Sequence, residues 1–406
     1  MHTQTLSFSQ LVKAKPSEVY RSFINATALR EWLCDTATVI PHAGGRLYLW
    51  WNSGYYASGE FLETESGQKL VFTWLGRGEP GSSQVQVTFS EKDGETQVTL
   101  EHSGLGIGED WSRTLGAVES GWKKGLENLA SVLATGEDLR FTLRPMLGIL
   151  IGEFNAEIAE ELGVPVTNAV RLDGVVENMG SQAAGLQSND VIVRMAGIPT
   201  VDWDSLTFAL QKHRAGDTVE VVYYRGAEKN TVMMELSRRP IPDIPFSTTE
   251  LVTRVRKIYA EMHAEMDKFL AGVTEDEASF KPAPDEWSIK GNLAHIIQGE
   301  RGYQSWITEL IGGYERVADD YGGNIHAYID ATLAVYPTLP ELVNAYKRAS
   351  TETVELLARL PDEFLERKSS YWRVAYASLE EPYHFRSHID QMRAALEAAR
   401  SAVMAT

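Results

Sequence analysis

The spacing of apolar residues changes character twice along this chain, and each change demands a different folding unit. Alternating apolar residues suit a sheet, and apolar residues three and four apart suit a helix. From about Thr5 to Leu139 the order is helix, strands, long helix. Pro16 opens a helix through Phe23, since proline is tolerated in a first turn. Arg46 to Trp51, Ala57 to Glu63, Leu70 to Leu75, Val85 to Phe89 and Gln97 to Glu101 read as strands, the last two joined by a turn at Asp93 and Gly94. Trp111, Leu115, Val118, Trp122, Leu126, Leu129 and Leu133 then predict one amphipathic helix. From about Phe141 to Arg239 glycines punctuate short apolar runs, with a helix expected from Trp203 to His213 and a strand pair at Val219–Tyr224 and Thr231–Leu236. After the proline-rich linker Arg238–Phe246, the remainder is helical. Its patterns run through Leu251, Val255, Ile258, Met262, Met266 and Leu270, then Ile289–Leu310, Leu339–Leu360 and Glu381–Val403. The expected organisation is a multidomain α+β chain with domains at 1–139, 141–239 and 247–406.

Composition narrows the partners. A chain of 406 residues holds two or three domains at about 150 residues each. A net charge of −18 disfavours nucleic acid and anionic membrane, which carry the same sign. No run of about 18 apolar residues predicts a membrane span. The start of the chain lacks the basic and apolar regions of a secretory signal, and the lone Cys34 has no disulfide partner. Those features point to a cytoplasmic protein with no nucleic-acid or membrane partner.

The first segment carries Pro16, Val19, Tyr20 and Phe23, then Leu29 and Trp32, the entry Gly44-Gly45-Arg46, and Gly121-Trp122. In that order they resemble the SRPBCC (START-like) superfamily, in its AHSA branch of chaperone-ATPase activator homologues. The resemblance covers essentially the whole segment. It implies a helix-grip α/β domain around an apolar small-molecule cavity, with Trp32, Trp50, Phe61, Trp74 and Trp122 as liners.

The second segment carries Leu147-Gly148-Ile149, the run Gly174 to Asp190 with glycines at 180 and 185, and Gly197 before a helix at Trp203. This order resembles an HtrA-associated PDZ domain, a β-barrel-like fold. The resemblance implies binding of a peptide or protein C-terminus by strand addition, its carboxylate held by backbone amides. Leu147, Gly148 and Ile149 fall at the carboxylate loop, and Leu206 and Leu210 would face the groove beside Ile149 and Ile151. No Gly-x-Ser-x-Gly nucleophile motif accompanies it.

The third segment contains His384, His388 and Gln391, which share one helix face at i, i+4 and i+7. Two histidines one turn apart can grip a divalent metal, and His295 on another helix would complete an open three-histidine set. Trp287-Ser288, Leu293 with His295, and the His384-x-x-x-His388-x-x-Gln391 run resemble the DinB/YfiT-like all-α four-helix bundles. That resemblance implies a metal site with open positions, in hydrolases or thiol-transferase-like enzymes. Three imidazoles suit zinc or nickel. Gln391 would orient a ligand or water, or brace a histidine; other catalytic residues have no assignment. Glu300, Tyr303 and Arg386 are near in sequence without a placed role.

The expected protein therefore combines an apolar small-molecule cavity, a peptide groove and a metal site of a hydrolase or thiol S-transferase. A non-enzymatic adaptor or ligand sensor with a structural metal is the alternative.

Overall fold

The computed structural model describes residues 3–211, 213–316 and 325–404. Two compact units are present: Met1–Glu137 together with Pro242–Thr406, and Asp138–Ile241.

The first unit begins with β1 (Thr3–Val12), α1 (Pro16–Ile24), α2 (Ala26–Trp32), β2 (Thr36–Val39), β3 (Arg46–Trp50), β4 (Tyr56–Glu65), β5 (Lys69–Gly76), β6 (Ser83–Lys92), β7 (Glu95–Gly106) and α3 (Glu109–Thr135). The strands form one antiparallel sheet in the order β1-β7-β6-β5-β4-β3-β2. Between β6 and β7 both Asp93 (φ 54°) and Gly94 (φ 81°) are left-handed, the twist a tight hairpin requires. Strand β1 escapes a hydrophobic reading because Thr, Gln and Ser dominate it, yet it pairs with β7 over most of its length. Helix α3 buries Val118, Trp122, Leu126, Leu129 and Val132 in a core shared with Phe61, Phe72, Val85 and Leu100.

The second unit holds α4 (Leu139–Thr142), β8 (Ile149–Gly152), α5 (Ala156–Leu162), β9 (Val170–Val175), α6 (Gly180–Ala183), β10 (Val191–Met195), β11 (Ile198–Pro199), α7 (Trp203–Leu210), β12 (Thr218–Arg225) and β13 (Glu228–Glu235). Its sheet runs β13-β12-β10-β9-β8, with β11 on β10. Among the described residues β8 pairs only with β9 and so presents an edge. Helix α7 ends at Leu210, short of the expected His213; Lys212 lies outside the described residues.

The chain returns to the first unit with α8 (Thr248–Leu270), α9 (Glu275–Ser279), α10 (Ile289–Ile311), α11 (Ile325–Val335), α12 (Leu339–Leu357), α13 (Asp362–Glu366) and α14 (Lys368–Met404). Leu251, Val255, Met262, Leu293, Ile297, Leu342, Phe385, Ile389 and Met392 meet in one core, so the apolar stripes of α8, α10, α12 and α14 converge. Helix α14 starts at Lys368 instead of Glu381, and Pro382 sits inside it. Without an N–H, Pro382 leaves the Ser378 carbonyl lacking its usual helical donor.

Ionic contacts join the two halves of this unit. The Glu315 carboxylate takes Arg30 at 2.8 Å, Arg373 at 2.7 and 3.0 Å and the Trp306 indole at 2.8 Å, while its backbone N–H donates to Thr27 Oγ1. Burial opposes ionisation of Glu315, but Arg373 and then Trp306 and Arg30 hold it below the usual carboxylate range. Nearby, Ser370 Oγ donates to Glu31.

Candidate metal centre

Ser288 caps α10 by accepting from the Gly291 N–H, and Trp287 just before it lies against that first turn. The cap fixes the helix rotation so that Asn292, His295 and Gly299, spaced by three and four, share a face. Helix α14 presents His384 and His388 toward it: a Cβ built on Gly299 would lie 3.9 Å from His384 Cε1.

His295, His384 and His388 each offer a ligand atom, and these atoms lie within 4.8 Å of one another. His388 is buried, and its Nδ1 faces Gln391 Oε1 at 2.9 Å and Asn292 Oδ1 at 3.2 Å. Both partners are acceptors, so the proton belongs on Nδ1 and the Nε2 lone pair is free. His384 turns Nδ1 toward Glu381 at 3.6 Å and Nε2 toward His388 Nε2 at 3.0 Å. His295 packs its ring on Trp287, with centroids 4.7 Å apart, and its buried Nδ1 has no hydrogen-bond partner.

The charges follow from these neighbours. Burial, with His388 and His384 adding like charge, pulls His295 down to about 4. Burial also lowers His388, whereas the Glu381 carboxylate raises His384. The residues fit a divalent ion. Bond lengths of about 2.0–2.1 Å from two imidazoles to one tetrahedral metal place their nitrogens roughly 3.3 Å apart, close to the His384–His388 spacing. His295 brings a third imidazole, with a ligand atom within 4.8 Å of those of the pair.

Two neighbours of the histidines had no role assigned from the sequence. Asn292 lies one turn before His295, a signal visible only once His388 is known to approach it. Glu300, 4 % exposed, accepts from Thr353 at 2.7 Å, and its Oε1 has no partner. Burial pushes it up to about 7. Gln391 Oε1 stands 2.9 Å from His388 Nδ1, one turn away on the same helix. His263 bonds Ser350 at 2.8 Å, away from the triad, and Arg386 is exposed.

In the N-terminal half, Trp32, Phe61, Trp74 and Trp122 are buried and Trp50 is half-buried. Trp74 and Trp122 approach at 5.4 Å beside the fully buried His102, which accepts from the Trp122 indole at 3.1 Å. That leaves His102 Nε2 as a donor to Ser83 at 2.7 Å, so the pair is not a base and its nucleophile.

In the second unit Gly148 takes φ 73°, and its carbonyl accepts from the Val176 N–H and the Ser181 hydroxyl. Leu147 and Leu206 are buried, Ile149 and Leu210 partly so, and Ile151 is exposed on the edge strand. Trp203 and Phe208 on α7 are also exposed.

Three family models match in succession: "Activator of Hsp90 ATPase homolog 1-like protein" at residues 13–134, "PDZ domain" at 145–236 and "DinB superfamily" at 258–399. The chain thus carries AHSA1-like, PDZ and DinB-like domains. A probable periplasmic serine endoprotease DegP-like of Marinomonas sp. (strain MWYL1) is 28% identical over 162 residues, covering 39% of this chain and 34% of that protein. A serine protease Do-like HtrA of Lactococcus lactis subsp. lactis (strain IL1403) is 32% identical over 100 residues, or 23% of this chain and 24% of that protein. The chain spans about a third or less of those relatives. Among solved structures, an HSP90 activator from Plasmodium falciparum shares 26% identity over 32% of this chain and 96% of its own, with a TM-score of 0.28. A protein from Mesorhizobium loti shares 24% over 32% and 97%, with a TM-score of 0.30. Among the described residues no helix is long and apolar enough to cross a membrane.

Proposed function

We propose that the DinB-like domain binds one divalent metal, zinc or nickel, through His295, His384 and His388, and acts as a metal-dependent hydrolase or thiol S-transferase. One observation carries this reading: three imidazoles from two helices converge with ligand atoms within 4.8 Å of one another. A metal there would supply Lewis acidity and activate a water or a thiol, with coordination positions left open for it. The protein's own contribution is orientation. Asn292 and Gln391 hold the His388 tautomer, Glu381 holds His384, and Trp287 shields His295. His384, about half exposed, marks the side open to substrate.

The edge strand β8 and the Gly148 loop support a PDZ groove for a peptide or protein C-terminus, lined by Leu147, Ile149, Ile151, Leu206 and Leu210. The Trp74–Trp122 wall supports an apolar small-molecule site in the AHSA1-like domain. A cytoplasmic location stands as part of the same proposal, against the periplasmic naming of the DegP-like relative; cell fractionation decides it. Elemental analysis tests the central claim. The wild type is expected to hold one zinc or nickel per chain and the His384→Ala, His388→Ala double variant none. Equal metal content in the two would overturn it.

A further inference from the structure

Beside the triad lies a polar layer whose partners are incomplete. The Glu300 carboxylate is buried, with Thr353 and the Tyr259 hydroxyl as hydrogen-bonding neighbours and Oε1 open to a further donor, and the Tyr346 hydroxyl, on a side chain 1 % exposed, lacks a partner. Tyr346 stacks on Phe385 with centroids 6.1 Å apart, and Gly299, the residue before Glu300, lies against His384, since a Cβ built on it would be 3.9 Å from His384 Cε1. Glu381 adds a second carboxylate whose charge bears on Glu300, Tyr259 and Tyr346. Among the described residues no lysine or arginine forms an ion pair with Glu300 or Glu381. A buried acid without a counter-cation, beside an orphaned hydroxyl and a half-buried carboxylate whose nearest partner is His384, is costly unless something else satisfies it.

We propose that this layer, Glu300 with Tyr346 and Glu381, receives a primary ammonium group on the substrate whose other end meets the histidines, so that the bundle acts on amine-bearing compounds. The inference rests on the metal-site reading and deepens it. An ammonium brings three donors and a positive charge. Glu300 Oε1 and the Tyr346 oxygen each take one donor, and the carboxylates offset the charge. Glu300 and Tyr346 are positioning residues here, since they hold the substrate without entering the reaction.

The test uses the full chain loaded with cobalt, with cysteamine and 2-mercaptoethanol as probes. Both present a thiol to the metal and differ only in ammonium against hydroxyl. Thiolate-to-cobalt absorption reports each Kd. The ammonium also acidifies its own thiol, so the deciding quantity is the change in the affinity ratio between wild type and variant. Glu300→Gln is expected to keep one cobalt per chain and lower the cysteamine preference by about tenfold, and Tyr346→Phe, which keeps both carboxylates, by about threefold. A ratio unchanged in both variants overturns the proposal. So does a second cobalt in the wild type that Glu300→Gln removes, because the layer would then be a metal site. If the wild type binds no cobalt, the metal reading itself fails and takes this one with it; cobalt bound without preference sinks the ammonium claim alone.

Discussion

The His388 ring is held at one nitrogen by two acceptors on different helices, and this bracing has a measurable consequence. Gln391→Ala removes the closer of the two, at 2.9 Å, and leaves Asn292. Loss of such a brace is expected to weaken metal binding roughly 10–100-fold. Competition with a chromophoric chelator measures it, and an unchanged affinity would place Gln391 outside the site. His102 offers a second test. Its pKa in the fold falls to about 4 through burial, below an unfolded value near 6.5. The unfolded chain therefore binds more protons in that window, and stability is complete above about 6.5 and lost as pH falls toward 4. The loss is about 3 kcal/mol. A His102→Phe variant should flatten that part of the stability–pH curve, as followed by denaturant melts. At this scale the candidate pair His384 and His388 was readable because both, with Gln391, obey helical spacing. Asn292, Glu300 and His102 were not, since their roles depend on partners far along the chain.

At the level of elements, most strands and the long helices announce themselves by periodicity, and the exceptions have physical causes. Strand β1 lacks an apolar alternation, and α14 runs through a proline that breaks the pattern a sequence reader trusts. The Gly148 loop makes a sharper statement. With φ at 73°, and with Met179 Cβ only 2.3 Å from where a Cβ would sit, no side chain fits without displacing backbone. Gly148→Ala should cost about 1–3 kcal/mol of stability in this unit. It should also abolish capture of a fluorescent peptide with a free C-terminus, read by anisotropy. Retained peptide affinity would remove this loop from the groove.

On the scale of the whole molecule, residues 138–241 interrupt a unit whose two parts bracket them. Three segments can be told apart by period, but no periodicity reveals that the first and third close into one unit. That closure includes charged side chains far apart in sequence, beside the packing of α3 on α14. Glu315→Ala would leave Arg30 and Arg373 facing each other without their shared carboxylate. The expected cost is about 3–5 kcal/mol. Calorimetry should show the AHSA1-like and DinB-like parts melting separately in the variant and together in the wild type. Coincident melting in both would assign their cohesion to other contacts.

The interruption also sets a clock on synthesis. Glu31 waits for Ser370, which is 339 residues downstream, and Thr27 waits 288 residues for Glu315. At about 5–20 residues per second, the ribosome delivers those partners roughly twenty seconds to a minute later. Throughout that interval Arg30 and Glu31 await the downstream groups they meet in the finished protein, Glu315 and Ser370. The nascent chain thus spends much of its birth displaying a charged surface that the finished protein hides.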